Sequence, residues 1–272
     1  MSQKAKIPVL VINLDRYPDR MARFMAYNTI PGIEVERTTA VDGEKLDRAE
    51  LVASNLIAED LIYSTNSVAC SLSHVRCWQR VVRMGRPAVI CEDDVALRRD
   101  FAKLHEKFAS TLAAAEAIFW SFNFDMHVAY RVPDMGVCTS IYDESHFNDE
   151  ARIAAFQAGK AQPALYRPER LWGVACYSLT PRGAAKLLDC VMPLRNGNVT
   201  FPYPNGLRQT SVCNLASIGI DSDIGVVHVK ELDAWVAVPP VAIHVTHNNV
   251  STIDGGREEA RYTQPPSNQG AK

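Results

Sequence analysis

Three consecutive acidic residues, Glu92, Asp93 and Asp94, are the strongest candidates for chemistry in this sequence. They follow the apolar run 88–91, which predicts a buried strand. Open α/β sheets bind ligands at the carboxyl ends of their strands, where adjacent carboxylates repel one another unless a cation is present. Mg²⁺ and Mn²⁺ take oxygen ligands and share them with substrate phosphates, so we expect a divalent ion and a nucleotide diphosphate here. The alternative is an acidic cluster that favours the following helix through its dipole.

Three smaller groups could contribute to the same site. Ser71 and His74 lie near the predicted start of a helix, where free N–H groups suit an anion, so either could contact a phosphate or a sugar. Asp221 and Asp223 offer carboxylates for general-base work or for holding sugar hydroxyls. His244, near the end of a predicted strand, could complete a metal shell or contact a diphosphate. The alternatives are a structural histidine, an Asx turn and a surface histidine, respectively.

Composition limits the class of protein. The chain has 272 residues, 47% of them hydrophobic, which is enough to bury a core in one or two domains. Its 29 Lys and Arg against 31 Asp and Glu provide no positive field, so we expect no nucleic-acid partner. Seven cysteines without a C-x-x-C pair are typical of a reducing compartment and predict a cytoplasmic protein. We interpret the first apolar run as a strand rather than a signal peptide, and expect no transmembrane span.

Apolar runs alternate with segments of helical periodicity, which predicts an α/β fold with a mainly parallel central sheet. The expected strands are 8–14, 33–40, 88–91, 118–122, 172–179, 226–229, 234–238 and 241–245. The expected helices are 18–27, 47–55, one capped by Ser67 or Ser71 and ending before Gly85, 100–117, and one that begins at Thr180.

Other segments lack such periodicity. Residues 125–170 predict a long loop with one short helix near 150–157, and residues 196–205 predict turns. We expect a single domain over residues 1–253, followed by a polar, flexible tail over 254–272.

Six segments carry a more specific signal when they are taken together. They are 11–16 with Arg20, 40–43, 69–74 with Trp78, 89–94, 172–180 with the helix that follows, and Ile220-Asp221. In this order they resemble glycosyltransferase family 25, which includes bacterial lipooligosaccharide galactosyltransferases and animal procollagen galactosyltransferases. Each segment is weak alone, but the set in register is specific.

The resemblance implies a GT-A type, Rossmann-like nucleotide-sugar-binding fold. It also implies an inverting, metal-dependent transfer of a hexose, galactose or glucose, from a UDP-sugar to a glycan such as a lipopolysaccharide or lipooligosaccharide precursor. Asp94 with Asp93 would hold Mn²⁺ or Mg²⁺ against the diphosphate, and Glu92 and His244 are further candidate ligands. Asp221 would be the base or an acceptor contact.

The first strand end would contact the nucleotide in this reading. The resemblance implies that five residues lie near the uridine and ribose, namely Asn13, Leu14, Arg16, Arg20 and Asp42.

A cytoplasmic enzyme that acts on a lipid-linked glycan would visit the membrane. Five arginines could form a basic face for anionic headgroups, or simply a solvated helix face, namely Arg80, Arg83, Arg86, Arg98 and Arg99.

Two other functions stay open at this point. A glycosyltransferase-like domain that has lost turnover would bind UDP without releasing it from a UDP-sugar. A metal-dependent phosphohydrolase would also use strand-end carboxylates, but it would act equally on simple phosphate esters.

Overall fold

The described residues in this computed structural model are 5–124, 127–142, 149–204 and 210–245. In chain order the strands are β1 (Ile7–Asn13), β2 (Ile33–Thr39), β3 (Ala88–Glu92), β4 (Val95–Leu97), β5 (Ala117–Phe119), β6 (Val128–Val132), β7 (Gly136–Ser140), β8 (Ala164–Arg170), β9 (Cys176–Leu179), β10 (Asn198–Pro204), β11 (Thr210–Ala216), β12 (Ala234–Val238) and β13 (Ala242–His244). The helices are α1 (Pro18–Tyr27), α2 (Arg48–Ala53), α3 (Thr65–Met84), α4 (Phe101–Lys107), α5 (Ala109–Ala114), α6 (Glu150–Gln157), α7 (Pro181–Val191) and α8 (Ile220–Ser222).

Nine of the strands described form one central sheet in the order β2-β1-β3-β9-β5-β12-β8-β6-β7. The α/β prediction is therefore confirmed. β1 pairs in parallel with β2 and β3, and β12 pairs in parallel with β5. The other neighbours are antiparallel, so the sheet is mixed, and the expected parallel arrangement is limited to these strands. Strands joined by a short turn, such as β6 and β7, must run antiparallel, because a parallel pair needs a long crossover.

Both faces of the parallel strands are covered, which explains their uninterrupted apolar runs. On one face, Ile90 packs with Trp78 of α3. On the other face, Cys91 packs with Phe24 of α1. Because side chains alternate along a strand, the residues that follow Cys91 also point first towards α3 and then towards α1.

The prediction of a long loop over 125–170 is wrong where the β6–β7 hairpin and β8 lie. The short helix expected near 150–157 is confirmed as α6. These strands are partly exposed, with β7 alternating between half-buried and exposed residues, so their sequence has no continuous apolar run to mark them.

Three smaller predictions also fail. Residues 196–205 include β10 rather than turns alone, and residues 100–117 form two helices rather than one. The predicted strand 226–229 overlaps a π-helical turn, Asp223–Val227. A short apolar run is compatible with either a strand or a buried helix, so periodicity could not distinguish them.

Helix α3 begins earlier than predicted. Its N-cap is Ser64, whose hydroxyl accepts a hydrogen bond from the Ser67 amide at 3.1 Å. Ser71 and His74 therefore lie in the second and third turns, and neither is near the free N–H groups that suit an anion.

Among the described residues, no helix combines the length and the apolar character needed to cross a membrane. The predicted basic face is not assembled as expected, because Arg98 is buried and its guanidinium lies 2.8 Å from Asp100. Arg80 pairs with Glu36. The predicted tail 254–272 lies outside the described residues, and the domain boundary stays a prediction.

Candidate functional site

The carboxyl ends of β1 and β3 bring the first polar residues of the site together. Ile12 is paired in register with Glu92, so the residues that follow each of them are neighbours. The Asn13 amide donates a hydrogen bond to Asp93 Oδ2 at 2.6 Å and another to the Tyr17 carbonyl at 3.0 Å. The strand register thus places a fixed amide beside the second acid.

Two cations face the acids from different elements. In the first turn of α1, Arg20 Nη2 donates to Asp94 Oδ2 at 2.7 Å and also pairs with Asp93. His244 lies opposite Val95 in the β13–β4 pair, and its Nε2 is 3.1 Å from the same Asp94 oxygen. One carboxylate oxygen of Asp94 therefore receives both positive charges.

These contacts separate the pKa values of the two aspartates. Desolvation alone would raise the pKa of Asp94, but the charges of His244 and Arg20 outweigh it and lower the pKa to about 2. Desolvation and the charge of Asp94 raise the pKa of Asp93 to about 6, against the opposing effect of Arg20. The charge of Asp94 raises the pKa of His244 to about 9, against desolvation. The raised pKa favours the imidazolium, the form that pairs with Asp94 in this structure, and a role of His244 as a metal ligand stays a prediction.

Glu92 points away from this pair, towards α3. Its Oε1 lies 3.5 Å from Nε2 of His74, which is fully buried. The other ring nitrogen, Nδ1, is 2.9 Å from the Tyr177 hydroxyl, which also accepts a hydrogen bond from Trp78 Nε1 at 2.8 Å. The three consecutive acids are thus divided between two faces of the sheet, with Glu92 on one and Asp93 on the other.

Helix α8, which packs on α3, adds a fourth carboxylate, Asp221. It is close enough to Glu92 for their charges to interact. Desolvation and the charge of Glu92 raise the pKa of Asp221 to about 6, against the charges of His74 and His244. A carboxyl group with such a pKa exchanges a proton near neutral pH, as a general base must.

The charges of this cluster do not balance. Within the described part of the chain it holds four carboxylates but only three side chains that can carry a positive charge, Arg20, His244 and His74, which leaves an excess of negative charge. Such an excess raises carboxyl pKa values, as at Asp93 and Asp221, and favours binding of a cation.

The residues predicted to contact uridine and ribose lie along the same edge. Arg16 pairs with Asp42 at 2.5 Å and with Glu44 at 3.0 Å. Leu14 packs partly buried against the core. The backbone of Ala40 donates to the Asn13 carbonyl at 3.0 Å, so the end of β2 is fastened to the end of β1. Their role in binding a nucleotide stays a prediction.

Two predicted residues do not join the cluster. Ser71 is fully buried, and its hydroxyl donates to the Ser67 carbonyl at 2.7 Å, so it is not available to a phosphate. Asp223 is also buried, and its Oδ1 accepts hydrogen bonds from the Tyr63 hydroxyl at 2.6 Å and from the Ser217 hydroxyl at 2.5 Å. Both residues satisfy local backbone and side-chain groups, which is a structural role.

Sequence reasoning overlooked several residues around the site. Arg37 Nε donates to Asn13 Oδ1 at 2.8 Å, and the charged end of β2 was a local signal for such a contact. Tyr177 and Cys70 border Glu92 and His74, but they were interpreted as strand and core residues. No local pattern distinguishes a buried tyrosine that bonds a histidine from one that only packs.

Comparison with known protein families identifies the class of protein to which this fold, with acidic residues at the carboxyl edge of its sheet, belongs. Residues 6–202, most of the chain, match the model of glycosyltransferase family 25, described as an LPS biosynthesis protein. The chain therefore belongs to glycosyltransferase family 25.

Several relatives match part of the chain. A human protein named procollagen galactosyltransferase 2 is 29% identical over 120 residues, which are 40% of this chain and 19% of the relative. A protein of Drosophila pseudoobscura pseudoobscura named glycosyltransferase 25 family member is 31% identical over 96 residues, which are 32% of this chain and 15% of the relative. One of Anopheles gambiae with the same name is 26% identical over 104 residues, 35% of this chain and 18% of the relative. The matched segments span less than a fifth of each of these relatives.

Proposed function

We propose that this chain is an inverting glycosyltransferase that moves a hexose, galactose or glucose, from a UDP-sugar to a glycan acceptor such as a lipopolysaccharide or lipooligosaccharide precursor. Family membership supports the reaction class. The name of the human relative supports galactose as the sugar, and the description of the family model supports the acceptor. The observation that carries the proposal is that Asp221 lies close enough to interact electrostatically with Glu92 and with His244, which pairs with Asp94.

The acids fit a divalent ion in part. Within the described residues, the buried Oδ1 of Asp94 has no hydrogen-bond partner, and the cluster carries excess negative charge. Asp94, with Asp93, would hold Mn²⁺ or Mg²⁺, which when bound would neutralise charge on the diphosphate of the donor. Arg20 already contacts both aspartates, so it is positioned to assist the same phosphates. Glu92 faces α3, so we do not count it among the ligands of this ion.

Asp221 is proposed as the base. Its carboxylate takes the proton of the acceptor hydroxyl while that oxygen attacks C1 of the hexose from the face opposite the leaving group. The bond between C1 and the diphosphate oxygen breaks, and UDP leaves with the electron pair. Direct displacement of this kind inverts the configuration at C1.

Replacing Asp221 by asparagine tests this role. We expect kcat to fall at least about 100-fold with donor affinity changed less than about threefold, because the amide keeps the shape but cannot accept the proton. UDP release and UDP binding by calorimetry, both with Mn²⁺, measure the two quantities. The matched control is Asp189→Asn, since Asp189 is an exposed carboxylate on α7. A normal rate in Asp221→Asn contradicts the assignment, and UDP binding without release from any UDP-sugar by the unmodified chain favours a binding module instead.

The rate should also depend on pH. Asp221 has a pKa of about 6, and only its deprotonated form can act as a base. The rate is therefore lost as the pH falls through 6, about tenfold per unit below it, and is constant above it. Asp93 has a similar pKa, so single-turnover transfer is measured at saturating Mn²⁺ and UDP-sugar, where a bound cation keeps Asp93 ionised. Under these conditions the dependence should disappear from the residual activity of Asp221→Asn. A rate that rises as the pH falls would contradict it.

A further inference from the structure

A second set of ligand atoms lies on the α3 side of the sheet, apart from Asp93 and Asp94. Among the described residues, Cys70, His74 and Glu92 each offer one ligand atom, and these atoms all lie within 4.8 Å of one another. Cys70 and His74 are four residues apart on α3 and therefore share one face of the helix. Glu92 meets them from the end of β3.

One ring nitrogen of His74, Nε2, points towards Cys70 and Glu92 and forms no hydrogen bond to any described residue. The ring is fully buried, and within the described part of the chain its Nε2 has no hydrogen-bond partner. An unpaired buried nitrogen is costly, so its orientation calls for a ligand. The separation from Glu92 Oε1, 3.5 Å, is long for a hydrogen bond. It is close to the spacing of about 3.3 Å between nitrogen and oxygen ligands of one tetrahedral metal ion.

On the opposite side of the ring, Nδ1 of His74 has the kind of hydrogen-bond partner that metal-binding histidines have. Histidines that bind metals almost always donate their other ring N–H to an oxygen. Nδ1 of His74 is 2.9 Å from the Tyr177 hydroxyl, and Trp78 Nε1 holds that hydroxyl in place at 2.8 Å. When Tyr177 accepts the proton of Nδ1, the lone pair of Nε2 faces Cys70 and Glu92.

We propose that Cys70, His74 and Glu92 bind one divalent transition-metal ion of the zinc class, at a site distinct from the donor-phosphate acids. Thiolate, imidazole and carboxylate together suit Zn²⁺ far better than Mg²⁺. On binding, Cys70 loses its thiol proton to solvent, and the ion compensates the negative charge that Glu92 shares with its acidic neighbours.

A second group of three, Cys190, His228 and Glu231, serves as the internal comparison. Its thiol donates a hydrogen bond to Glu231 at 3.2 Å, and Lys186 contacts the backbone of the same residue. The imidazole of His228 is partly exposed. Nδ1 of His228 also lacks a hydrogen-bond partner among the described residues, but its ring is partly exposed, unlike that of His74, the thiol is already paired with Glu231, and Lys186 adds a positive charge. We therefore assign no metal to this group.

Cobalt titration of the chelator-treated protein tests the proposal. We expect one Co²⁺ to bind with a thiolate-to-cobalt charge-transfer band and the visible bands of tetrahedral coordination, whereas a Co²⁺ bound by Asp93 and Asp94 would give no thiolate band. Cys70→Ser should abolish the charge-transfer band, whereas the control Cys190→Ser should keep it. Tyr177→Phe, which removes only the hydroxyl, should weaken Co²⁺ binding about 10- to 100-fold. A protein without the band, a band that survives Cys70→Ser, or a band lost in Cys190→Ser would overturn the proposal.

A second variant tests the proposal independently, in case Cys70→Ser does not fold. Glu92→Gln should lower Co²⁺ affinity at least about tenfold while the thiolate band remains. Unchanged affinity in that variant would also overturn the proposal. UDP release with Mn²⁺ is measured on the same unmodified protein. Transfer without the cobalt band contradicts only this metal site, and the band without transfer contradicts only the proposed function.

Discussion

Replacing Asp94 by asparagine is expected to reduce sugar transfer at least about 100-fold and to weaken Mn²⁺-dependent UDP binding strongly. One oxygen of Asp94 lies 2.7 Å from Arg20 and 3.1 Å from His244, and the other is buried and unpartnered among the described residues. An amide carries no charge, so it binds a divalent ion and the two cationic side chains much more weakly than a carboxylate does. Transfer assays and calorimetry with UDP and Mn²⁺ measure these losses.

The same variant has a readout that does not depend on substrate. The charge of Asp94 is the largest cause of the raised pKa of His244, which is about 9. In Asp94→Asn this pKa should fall by at least about one unit, and NMR titration of the imidazole follows it. The fold should persist because Arg20 keeps its contact with Asp93. Near-normal turnover together with an unchanged His244 titration would refute the arrangement of charges described above.

Removing the side chain of Asp223 is expected to destabilise the fold by about 2–4 kcal/mol. A single oxygen of this buried carboxylate accepts hydrogen bonds from Tyr63 and Ser217. Asp223→Ala removes this shared charged acceptor and leaves a buried gap, so that the two hydroxyls keep their contact with each other at 2.5 Å and that of Ser217 with Ser222 at 2.9 Å. Urea denaturation measures the free energy of unfolding.

The matched variant is Asp223→Asn, which keeps a carbonyl oxygen at the same place. We expect it to cost less than about 1.5 kcal/mol and to transfer sugar at a rate near that of the unmodified chain. Loss of transfer in Asp223→Asn at unchanged stability would instead return this residue to the catalytic groups. The pair of variants thus separates a role in folding from a role in chemistry.

Local pattern was sufficient to locate the edge of the sheet that carries the site. The apolar runs before Asn13 and Glu92 marked strands buried on both faces, and the polar residues after them marked their carboxyl ends. It failed for β6, β7 and β8, because half-exposed strands have no uninterrupted apolar run. It also failed over 226–229, because a short apolar run suits either a strand or a buried turn.

Local sequence pattern did not predict which side chains of the site contact one another. Consecutive numbering suggested that Glu92, Asp93 and Asp94 act as one set, whereas strand alternation sends Glu92 towards His74 and Asp93 towards Arg20. The positions of Asp221 and Asp223, two residues apart, differ because a π-helical turn buries the second against Tyr63.

The order of residues thus specified which groups are available and which strand ends present them, since burial and alternation are properties of neighbouring residues. Packing of segments distant in the chain decided which cation meets which acid. His244 reaches Asp94 only through the β13–β4 pair, and Asp221 reaches Glu92 only through the contact of α8 with α3. Register and helix packing depend on the whole core, and no short stretch of sequence encodes them.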